Sequence, residues 1–369
     1  MKTLLVTLVS DQTIPNVQFI KDKQDANTHF LFISTQKMEE KGVKTWIKNV
    51  CNIADDKMFT IVVDQFSLND IENKLNELNC DDYDKLIVNV TGGTKIMSHA
   101  VTEFFKEFAA EIFYLTGVGN TILQVHPKTK QSVKSLTNQI NLDEYIRSHG
   151  FAMRGGNMSG IPFEYTKQFF SFFLSNDYSL ILQRLQKLKN DKPKKKKHDI
   201  NLVDELSKFL IKIEFPLSDE NHSIITRSEI KYLIGEWFEE YIYYRLKHEL
   251  NITDENIKTG ITLSKNETPN EFDVVFLYNG ILYTIECKTS IISERENLML
   301  DTIYKVTALQ KNLGLFSKSS IFTLSSRENK EVSEAHLERG RELFNIDVFC
   351  REDIETSESI AQLLKIKIC

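Results

Sequence analysis

The chain contains little of what builds cross-linked, fibrous or membrane-spanning proteins. Its 369 residues include only five cysteines, 14 glycines and six prolines. Because the number of cysteines is odd and no C-x-x-C occurs, we expect neither a disulfide framework nor a thiolate zinc site. Apolar residues make up 41% of the chain, yet no run reaches the roughly 18 residues of a membrane span. Free thiols, without a span or a signal peptide, predict a cytoplasmic protein.

Positive charge is also scarce, so the chain gives no general signal for binding nucleic acid. The 46 lysines and arginines are outnumbered by 52 aspartates and glutamates, and the net charge is −6. The exception is a Lys-rich window at residues 187–198, which holds seven lysines and one aspartate. Because this window is polar and contains proline, we predict an exposed loop between helices. It either contacts phosphates locally, in a salt-sensitive manner, or is simply solvated.

The length favours two domains, and the first half has the pattern of a doubly wound α/β fold. Residues 1–127 alternate short β-branched runs with amphipathic stretches, which predicts a mostly parallel, Rossmann-like sheet covered by helices. The expected strands lie at residues 4–9, 30–33, 60–63, 86–90, 111–115 and 121–125. A hairpin loop at residues 117–120 would join the last two strands.

The second half has a different order of elements, which predicts a mixed sheet. A helix at residues 229–250 is followed by three strands, then by a helix and a strand, and finally by a further αβα unit. The expected strands lie at residues 260–263, 271–278, 281–288, 320–325 and 346–350. We therefore divide the chain into a first α/β domain at 1–150, a helical linker with the Lys-rich window at 151–227, and a second α/β domain at 228–369.

Two acidic residues flank a predicted hairpin of the second domain at equal distances from its turn. Asn279-Gly280 stands between two apolar runs and is a strong signal for a two-residue turn. The resulting register places Asp273 opposite Glu286, with their Cβ atoms about 4.5–5.5 Å apart. Facing carboxylates are unfavourable unless a charge compensates them, and a hard divalent cation would do so. Lys288 lies two residues beyond Glu286 and therefore on the same face.

A third acid lies on the helix before these strands. Glu239 borders the apolar stripe of that helix, whereas Glu236, Glu240 and Lys247 are expected on its polar side. Lys305 and Gln310 of the following helix either face this site or, as we favour, lie at the surface. The alternative to a metal site is a solvated strand face on which charges meet by chance.

A helix glutamate, a strand aspartate and a Glu-x-Lys on the next strand resemble the active site of the PD-(D/E)xK restriction-endonuclease-like superfamily. The matching residues are Glu239, Asp273, Glu286 and Lys288. Phe272 stands where that superfamily has a proline before the aspartate. The resemblance implies magnesium- or manganese-dependent cleavage of phosphodiester bonds. It implies that Asp273, Glu286 and the Cys287 carbonyl bind the metal. Lys288 would be the catalytic lysine and Glu239 an outer ligand.

Two loops of the first domain are candidates for a ligand site. Residues 10–16, SDQTIPN, follow the first strand, and residues 91–95, TGGTK, follow the fourth and open a helix. In a doubly wound sheet both loops lie at the carboxyl ends of strands, where ligands bind. Gly92 and Gly93 allow the backbone to approach a ligand, and the helix start together with Lys95 suits a phosphate. A tight turn with a helix N-cap is the alternative.

The segments VSDQTIPN and NVTGGTKIMSHAV resemble the two ligand loops of CARF domains, which are sensor modules of type III CRISPR accessory proteins. With the PD-(D/E)xK half, the whole chain resembles the single-CARF nucleases of that antiviral system. The resemblance implies a homodimer that binds one cyclic oligoadenylate, most simply cyclic tetra-adenylate, and then cleaves DNA, RNA or both. The ligand-binding residues that it implies are Ser10, Gln12, Thr13, Gly92, Gly93, Thr94, Lys95 and Met97.

Other functions remain open at this point. A nucleotide-responsive regulator could bind nucleic acid without cutting it, although residues 161–228 give no convincing helix-turn-helix pattern. A constitutive repair nuclease would cut without any nucleotide. A dinucleotide oxidoreductase is disfavoured because G-x-G-x-x-G does not follow the first strand.

Overall fold

The computed structural model describes most of the chain. The described residues are 1–116, 121–128, 133–176, 179–191, 196–200, 204–219, 221, 223–265, 268–289, 298–311, 313–314, 317–328 and 332–367. They form a seven-stranded sheet, a six-stranded sheet and a two-stranded ribbon, with helices packed against them. Among these residues, every helix is too short or too polar to cross a bilayer.

The first sheet has the strand order β3-β2-β1-β4-β5-β6-β7. Its strands are β1 (Thr3–Leu8), β2 (Thr28–Ser34), β3 (Met58–Val62), β4 (Lys85–Asn89), β5 (Glu111–Leu115), β6 (Thr121–His126) and β7 (Val133–Ser135). The first five are parallel, and β6 and β7 are antiparallel to their neighbours. This arrangement confirms the predicted doubly wound fold. β5 and β6 pair as predicted, but residues 117–120 lie outside the described residues.

Helices cover both faces of this sheet, and each face has its own hydrophobic core. The helices are α1 (Ile14–Lys23), α2 (Gln36–Glu40), α3 (Val43–Cys51), α4 (Leu68–Asn76), α5 (Lys95–Glu107) and α6 (Leu142–Ser148). Apolar residues of α4 and α5 pack on one face, and those of α1, α3 and α6 pack on the other. Their spacing of three and four residues places them on one side of each helix.

The middle of the chain is mostly helical and packs against the second half. Its elements are α7 (Phe163–Ser175), α8 (Ser179–Asp191), β9 (Lys197–Asp199), α9 (Glu205–Lys212) and β10 (Ile224–Thr226). The Lys-rich window is not entirely an exposed loop. Its last residues form β9, which pairs with β10, and His198 is buried. Residues 192–195 lie outside the described residues.

The second sheet is mixed, as predicted, with the order β15-β14-β13-β12-β11-β8. Its strands are β8 (Ala152–Gly155), β11 (Ile257–Lys265), β12 (Thr268–Tyr278), β13 (Ile281–Lys288), β14 (Ser317–Thr323) and β15 (Ile346–Phe349). The helices around it are α10 (Arg227–Lys231), α11 (Trp237–Leu250), α12 (Leu298–Gln310), α13 (Glu334–Phe344), α14 (Arg351–Thr356) and α15 (Ile360–Leu363). Its edge strand β8 comes from the segment that we assigned to the linker.

The two halves share one hydrophobic core. Helices α1, α3 and α6 of the first half pack in a single cluster with strands β11, β12 and β13 of the second sheet. Two hydrogen bonds strengthen this junction. The Tyr145 hydroxyl donates to the Leu313 carbonyl at 2.9 Å, and the Leu142 N–H donates to Asn256 Oδ1 at 3.1 Å. Because the helices and the second sheet share this core, a shift of the helices would also displace the second sheet.

Candidate active site and ligand site

The helix that carries Glu239 is interrupted by a π-helical turn. The sequence predicts one continuous α-helix, but α10 passes into a π turn at Tyr232–Glu236 before α11 begins at Trp237. Such turns add a residue to one helical turn and are frequent at functional sites. Trp237 and Phe238 are fully buried beneath α7, and Glu239 lies half-buried at the edge of this core.

Glu240 does not lie on the polar side of α11, where the sequence places it. The side chain is only 4% exposed, and it accepts two hydrogen bonds from Ser159, from N at 2.6 Å and from Oγ at 2.8 Å. The partner lies far away in the sequence, in the loop after β8. A buried carboxylate that is satisfied in this way has a structural role, because it ties β8 to α11.

Asp273 lies where the hydrogen-bonded pairing between β12 and β13 ends. The pairs from Tyr278–Ile281 to Val274–Ile285 confirm the register that the Asn279-Gly280 turn predicts. The pairing ends there, so Asp273 and Glu286 do not form the expected cross-strand pair. Instead, Asp273 Oδ2 accepts a hydrogen bond from the Cys287 N–H at 2.7 Å. Its carboxylate thus takes the place of a ladder carbonyl, which places it between the two strands.

The ladder between β12 and its other neighbour, β11, is also interrupted beside Asp273, at a glycine of β11. By register, Gly260 of β11 is opposite Asp273, but this pair is absent from an otherwise regular ladder. Gly260 has a φ of 59°, a left-handed conformation that favours glycine. The hydroxyl of Thr259 donates to the Asp273 carbonyl at 2.8 Å and fixes the backbone on this side.

Glu286 is held by two lysines. The Lys288 ammonium lies 2.7 Å from Glu286 Oε1, 3.6 Å from Asp273 Oδ2 and 3.3 Å from the Cys287 carbonyl oxygen. Lys305 of α12 also lies 2.9 Å from the same Glu286 oxygen, while its side chain stays exposed at the surface, as expected. Gln310 is directed elsewhere and donates to the Ser317 carbonyl. Lys305 reaches Glu286 because α12 packs on the sheet, and no sequence motif predicts this contact.

Burial and mutual repulsion shift the pKa values of the three carboxyl groups in different directions. Burial, reinforced by the charge of Asp273, raises the pKa of Glu239 to about 9. Burial also raises the pKa of Asp273, despite the nearby Lys288. For Glu286 the desolvation is outweighed by Lys288 and Lys305, which lower its pKa. The cluster therefore combines a protonated acid with an ionised one at neutral pH, a pattern typical of functional sites.

The donor atoms of this cluster suit a hard divalent cation. Within the described residues, no three His, Cys, Asp or Glu side chains form a ready-made cage. However, the carboxylates of Asp273 and Glu286 and the carbonyl of Cys287 are the oxygen donors that Mg²⁺ and Mn²⁺ prefer. The Lys288 ammonium already lies between the two carboxylates. Positive charge between them is thus what this arrangement favours.

The two candidate ligand loops lie side by side in the first sheet. The strand order changes direction between the neighbouring strands β1 and β4, and the loops follow the carboxyl ends of these two strands. Such a switch point is where doubly wound sheets bind ligands. Gly92 is buried against the first loop, since a Cβ atom at this position would lie 2.2 Å from the Leu8 carbonyl oxygen. Only glycine fits there.

The predicted ligand residues divide into an accessible set and a supporting set. Gly93 and Lys95 are exposed, and Ser10, Gln12 and Thr94 are half-buried at the start of their helices. Thr94 caps α5, because its Oγ1 accepts the Met97 N–H at 3.2 Å and donates to the Gln65 carbonyl at 3.0 Å.

Thr13 and Met97, which the resemblance also implies as ligand-binding residues, are fully buried. Met97 lies beneath Gly93 on the core face of α5, where it supports the loop.

Each half of the chain matches a family model. Residues 4–145 match the model described as the Card1 CARF domain. Residues 226–346 match the Card1-like endonuclease domain. The chain combines a Card1-type CARF domain with a Card1-like endonuclease domain.

Solved structures with the same fold extend over both domains. Can2 from Sulfobacillus thermosulfidooxidans, in complex with cyclic tetra-adenylate, has a TM-score of 0.71 and 22% identity, with 98% of this chain and 97% of that chain covered. Protein VC1899 from Vibrio cholerae has a TM-score of 0.75 and 17% identity, with 96% and 95% covered. A type III CRISPR defence DNA nuclease activated by cyclic oligoadenylate has a TM-score of 0.52 and 15% identity, with 88% and 45% covered. No curated protein matches the chain.

A buried polar network, which the sequence analysis missed, joins the two loops of the CARF domain. Asn89 Nδ2 donates to Asn16 Oδ1 at 3.1 Å, and Asn16 Nδ2 donates to the Leu8 carbonyl at 3.0 Å. Asn89 Oδ1 accepts the Thr91 hydroxyl at 2.6 Å, and Thr91 Oγ1 accepts the Leu115 N–H at 2.8 Å. An asparagine at the end of the apolar strand β4 was the available signal. The network fixes the start of α1 against the 91–95 loop.

Proposed function

We propose that the chain is a metal-dependent endonuclease of type III CRISPR defence that is activated by a cyclic oligoadenylate. The observation that carries this proposal is the cluster of Glu239, Asp273, Glu286 and Lys288 at the ladder opening of the endonuclease domain. The activator is proposed by analogy. Can2 is solved with cyclic tetra-adenylate, and another relative of the same fold is activated by cyclic oligoadenylate. We therefore propose cyclic tetra-adenylate as the activator, and DNA, RNA or both as the substrate.

In this proposal each residue of the cluster has a separate role in phosphodiester hydrolysis. Asp273, Glu286 and the Cys287 carbonyl would hold Mg²⁺ or Mn²⁺, which when bound lowers the pKa of water and polarises the phosphate. Lys288 would neutralise negative charge that develops on the phosphate. Glu239 would act as an outer ligand.

We propose that the CARF domains pair as a homodimer around the ligand. Two copies of the 91–95 loop would then face one cyclic molecule across a two-fold axis. The N-terminus of α5 and the exposed Lys95 suit its phosphates. Apolar side chains beside this loop support the pairing, because Phe66, Leu68 and Ile96 are 74%, 41% and 39% exposed. A second copy would cover them.

Activation can follow from the way the domains are joined. Helix α1 begins at Ile14, within the first ligand segment, and packs in the core that the endonuclease sheet shares. A ligand that binds one arrangement of α1 better than another would shift the endonuclease domain with it. We keep 1–150, 151–227 and 228–369 as the proposed boundaries of the domains. We also propose that the protein acts in the cytoplasm, which agrees with the free thiols of Cys51, Cys80, Cys287 and Cys350.

The test is a cleavage assay with single-stranded DNA, RNA and supercoiled plasmid. Each is incubated with Mn²⁺, with and without cyclic tetra-adenylate, beside the Asp273→Asn variant as an inactive control. We expect cutting only when both the metal and the nucleotide are present. Cutting without nucleotide would favour a constitutive nuclease. Nucleotide binding without any cutting would favour a regulator that binds nucleic acid.

Gly92→Ala is expected to weaken nucleotide binding about 10- to 100-fold. The added Cβ meets the Leu8 carbonyl at 2.2 Å, and relieving such a clash costs about 1–3 kcal/mol. Because Leu8 ends β1 just before the first ligand loop, the 91–95 loop must move away from it. Calorimetry with cyclic tetra-adenylate measures the change. Gly235→Ala is the matched control, since nothing lies within 4 Å of its Cβ position. Unchanged affinity in Gly92→Ala would show that the loops do not hold the ligand.

Lys305→Gln is expected to move the acidic limb of the pH–rate profile to higher pH. Lys305 helps to lower the pKa of Glu286, so its loss leaves more of this carboxyl group protonated and unable to bind metal. We expect the loss of cleavage to be largest at the acidic end of the profile and to shrink as the pH rises. Lys311→Gln, just beyond α12, is the control. An equal loss at every pH would instead indicate that Lys305 contacts the substrate.

A further inference from the structure

The endonuclease domain has a cavity beside the candidate active site. It has a volume of about 300 Å³ and lies between α11, the start of β11 and the loop after β8. Its walls include Gly156, Tyr243, Tyr244, Lys247, Asp254 and Lys258. A pocket of this size accepts a small organic group. The proposed chemistry leaves these side chains unused.

The aromatic wall of the cavity is rigid. The Tyr243 hydroxyl donates to Asp254 Oδ1 at 2.8 Å. The Tyr244 ring is held on one side by Phe163, with 4.9 Å between ring centroids, and meets Tyr243 edge-on at 5.3 Å. Because these rings are already fixed, a flat ligand could stack on them with little loss of conformational entropy.

The charge of the cavity is positive. Asp254 is its acidic residue, and this carboxylate is paired with Lys247. Lys258 makes no hydrogen bond or ion pair among the residues that the structure describes, and its side chain passes beside Gly156. The cavity thus presents two lysines and one aspartate next to two aromatic rings, which leaves it a net positive charge.

The cavity is connected to the candidate active site through two elements. Tyr243 lies one turn beyond Glu239 on the same side of α11. Thr259, another residue of the lining, donates to the carbonyl of Asp273. A strand whose phosphate lies at Asp273 and Glu286 therefore has a neighbouring nucleotide within reach of the cavity.

We propose that this cavity is a nucleotide subsite of the substrate strand, in which Tyr244 stacks on a base and Lys258 contacts a phosphate. The inference rests on the proposed nuclease function. Aromatic stacking beside a cation is the usual way in which proteins bind single strands without reading their sequence. The subsite positions the strand and takes no part in bond cleavage.

The experiment measures strand binding by the full chain without turnover. Fluorescein-labelled single-stranded DNA and RNA of the same sequence are titrated at several NaCl concentrations, with cyclic tetra-adenylate and EDTA present. Lys258→Gln is expected to weaken binding about 3- to 10-fold and to lower the slope of log affinity against log salt by about one. Tyr244→Leu is expected to weaken binding about tenfold with an unchanged slope, and Tyr244→Phe to bind as the parent does.

Lys208→Gln, an exposed lysine of α9, is the charge-matched control. The same variants are then assayed for cleavage with Mn²⁺, where the loss should appear in KM rather than in kcat. If the parent binds and cuts while Lys258→Gln and Tyr244→Leu bind equally well, the proposed subsite is wrong but the proposed nuclease function stands. If the parent binds neither DNA nor RNA, both the subsite and the proposed function are contradicted.

Discussion

Lys288→Gln is expected to reduce the cleavage rate at saturating substrate about 10³-fold. The Lys288 ammonium lies 2.7 Å from Glu286 and 3.6 Å from Asp273, in the middle of the carboxylate cluster. Removing one preorganised group that stabilises transition-state charge typically costs 10²–10³ in kcat. The variant also loses a cation that lowers the pKa of Glu286, so less of this carboxylate is ionised for metal binding. Both effects reduce the rate.

Single-turnover cleavage with Mn²⁺ and cyclic tetra-adenylate measures this effect, because product release does not then limit the rate. Lys318→Gln is the matched control, since Lys318 lies on the adjacent strand β14 and is exposed. A rate within twofold of the parent would exclude Lys288 from the chemistry. A loss confined to KM would make it a substrate-binding residue only.

The same substitution has a second readout that does not depend on activity. Without Lys288, buried carboxylates lose a positive partner, and unpaired buried charges destabilise a fold by about 3–5 kcal/mol. We therefore expect a lower Tm for Lys288→Gln. Addition of Mn²⁺ should raise the Tm of the parent and the variant, because ligands that bind only the native state stabilise it. Asp273→Asn should reduce this gain if Asp273 is a metal ligand.

The sequence was a good guide where local rules decide the structure. β-branched runs located the six main strands of the CARF domain to within about two residues. The Asn279-Gly280 turn set the register of β12 and β13, because a two-residue turn leaves no freedom in the pairing. Glu239, Asp273, Glu286 and Lys288 could be found in this way, since three of them are placed by that hairpin.

Side chains whose surroundings come from distant segments could not be assigned in this way. Glu240 looks solvated on a helical wheel, but Ser159 from the loop after β8 satisfies it in the interior. Lys305 is a surface lysine, but its contact with Glu286 arises only because α12 packs on the sheet. β8 is too short to be recognised alone and exists because β11 offers an open edge. In each case the determining contact is tertiary, and local propensity carries no information about it.

His149 is expected to make the protein lose stability as the pH falls from about 6.5 towards 4. Its ring is 5% exposed and stacked on Tyr145, with 4.9 Å between ring centroids. Nδ1 lies 3.0 Å from the Tyr145 carbonyl oxygen, and among the described residues Nε2 has no partner. Burial lowers the pKa of His149 to about 4. The native ring therefore stays neutral at pH values where an unfolded chain, with a histidine pKa near 6.5, takes up a proton.

The sign follows from proton binding in the two states. Between about pH 6.5 and pH 4 the unfolded chain binds more protons than the native one, so stability rises with pH and is lost on acidification. A pKa difference of about 2.5 corresponds to about 3 kcal/mol. Urea unfolding at pH 7, 6, 5 and 4.5 measures the change. The raised pKa of Glu239 acts in the opposite direction in this range, so the contribution of His149 is the difference in slope between the parent and His149→Gln. His99→Gln, at an exposed histidine of α5, should leave the slope of the parent unchanged.

The position of His149 connects this titration to activation. Its carbonyl accepts a hydrogen bond from Lys265 of β11, and Nε2 faces Gly314 of the endonuclease domain. A proton on this ring would place an uncompensated charge in the junction that couples the CARF and endonuclease domains. We therefore expect the nucleotide-dependent rate of the parent to fall more steeply below pH 6 than that of His149→Gln. Parallel profiles for the two proteins would assign the acid sensitivity to the active-site carboxylates instead.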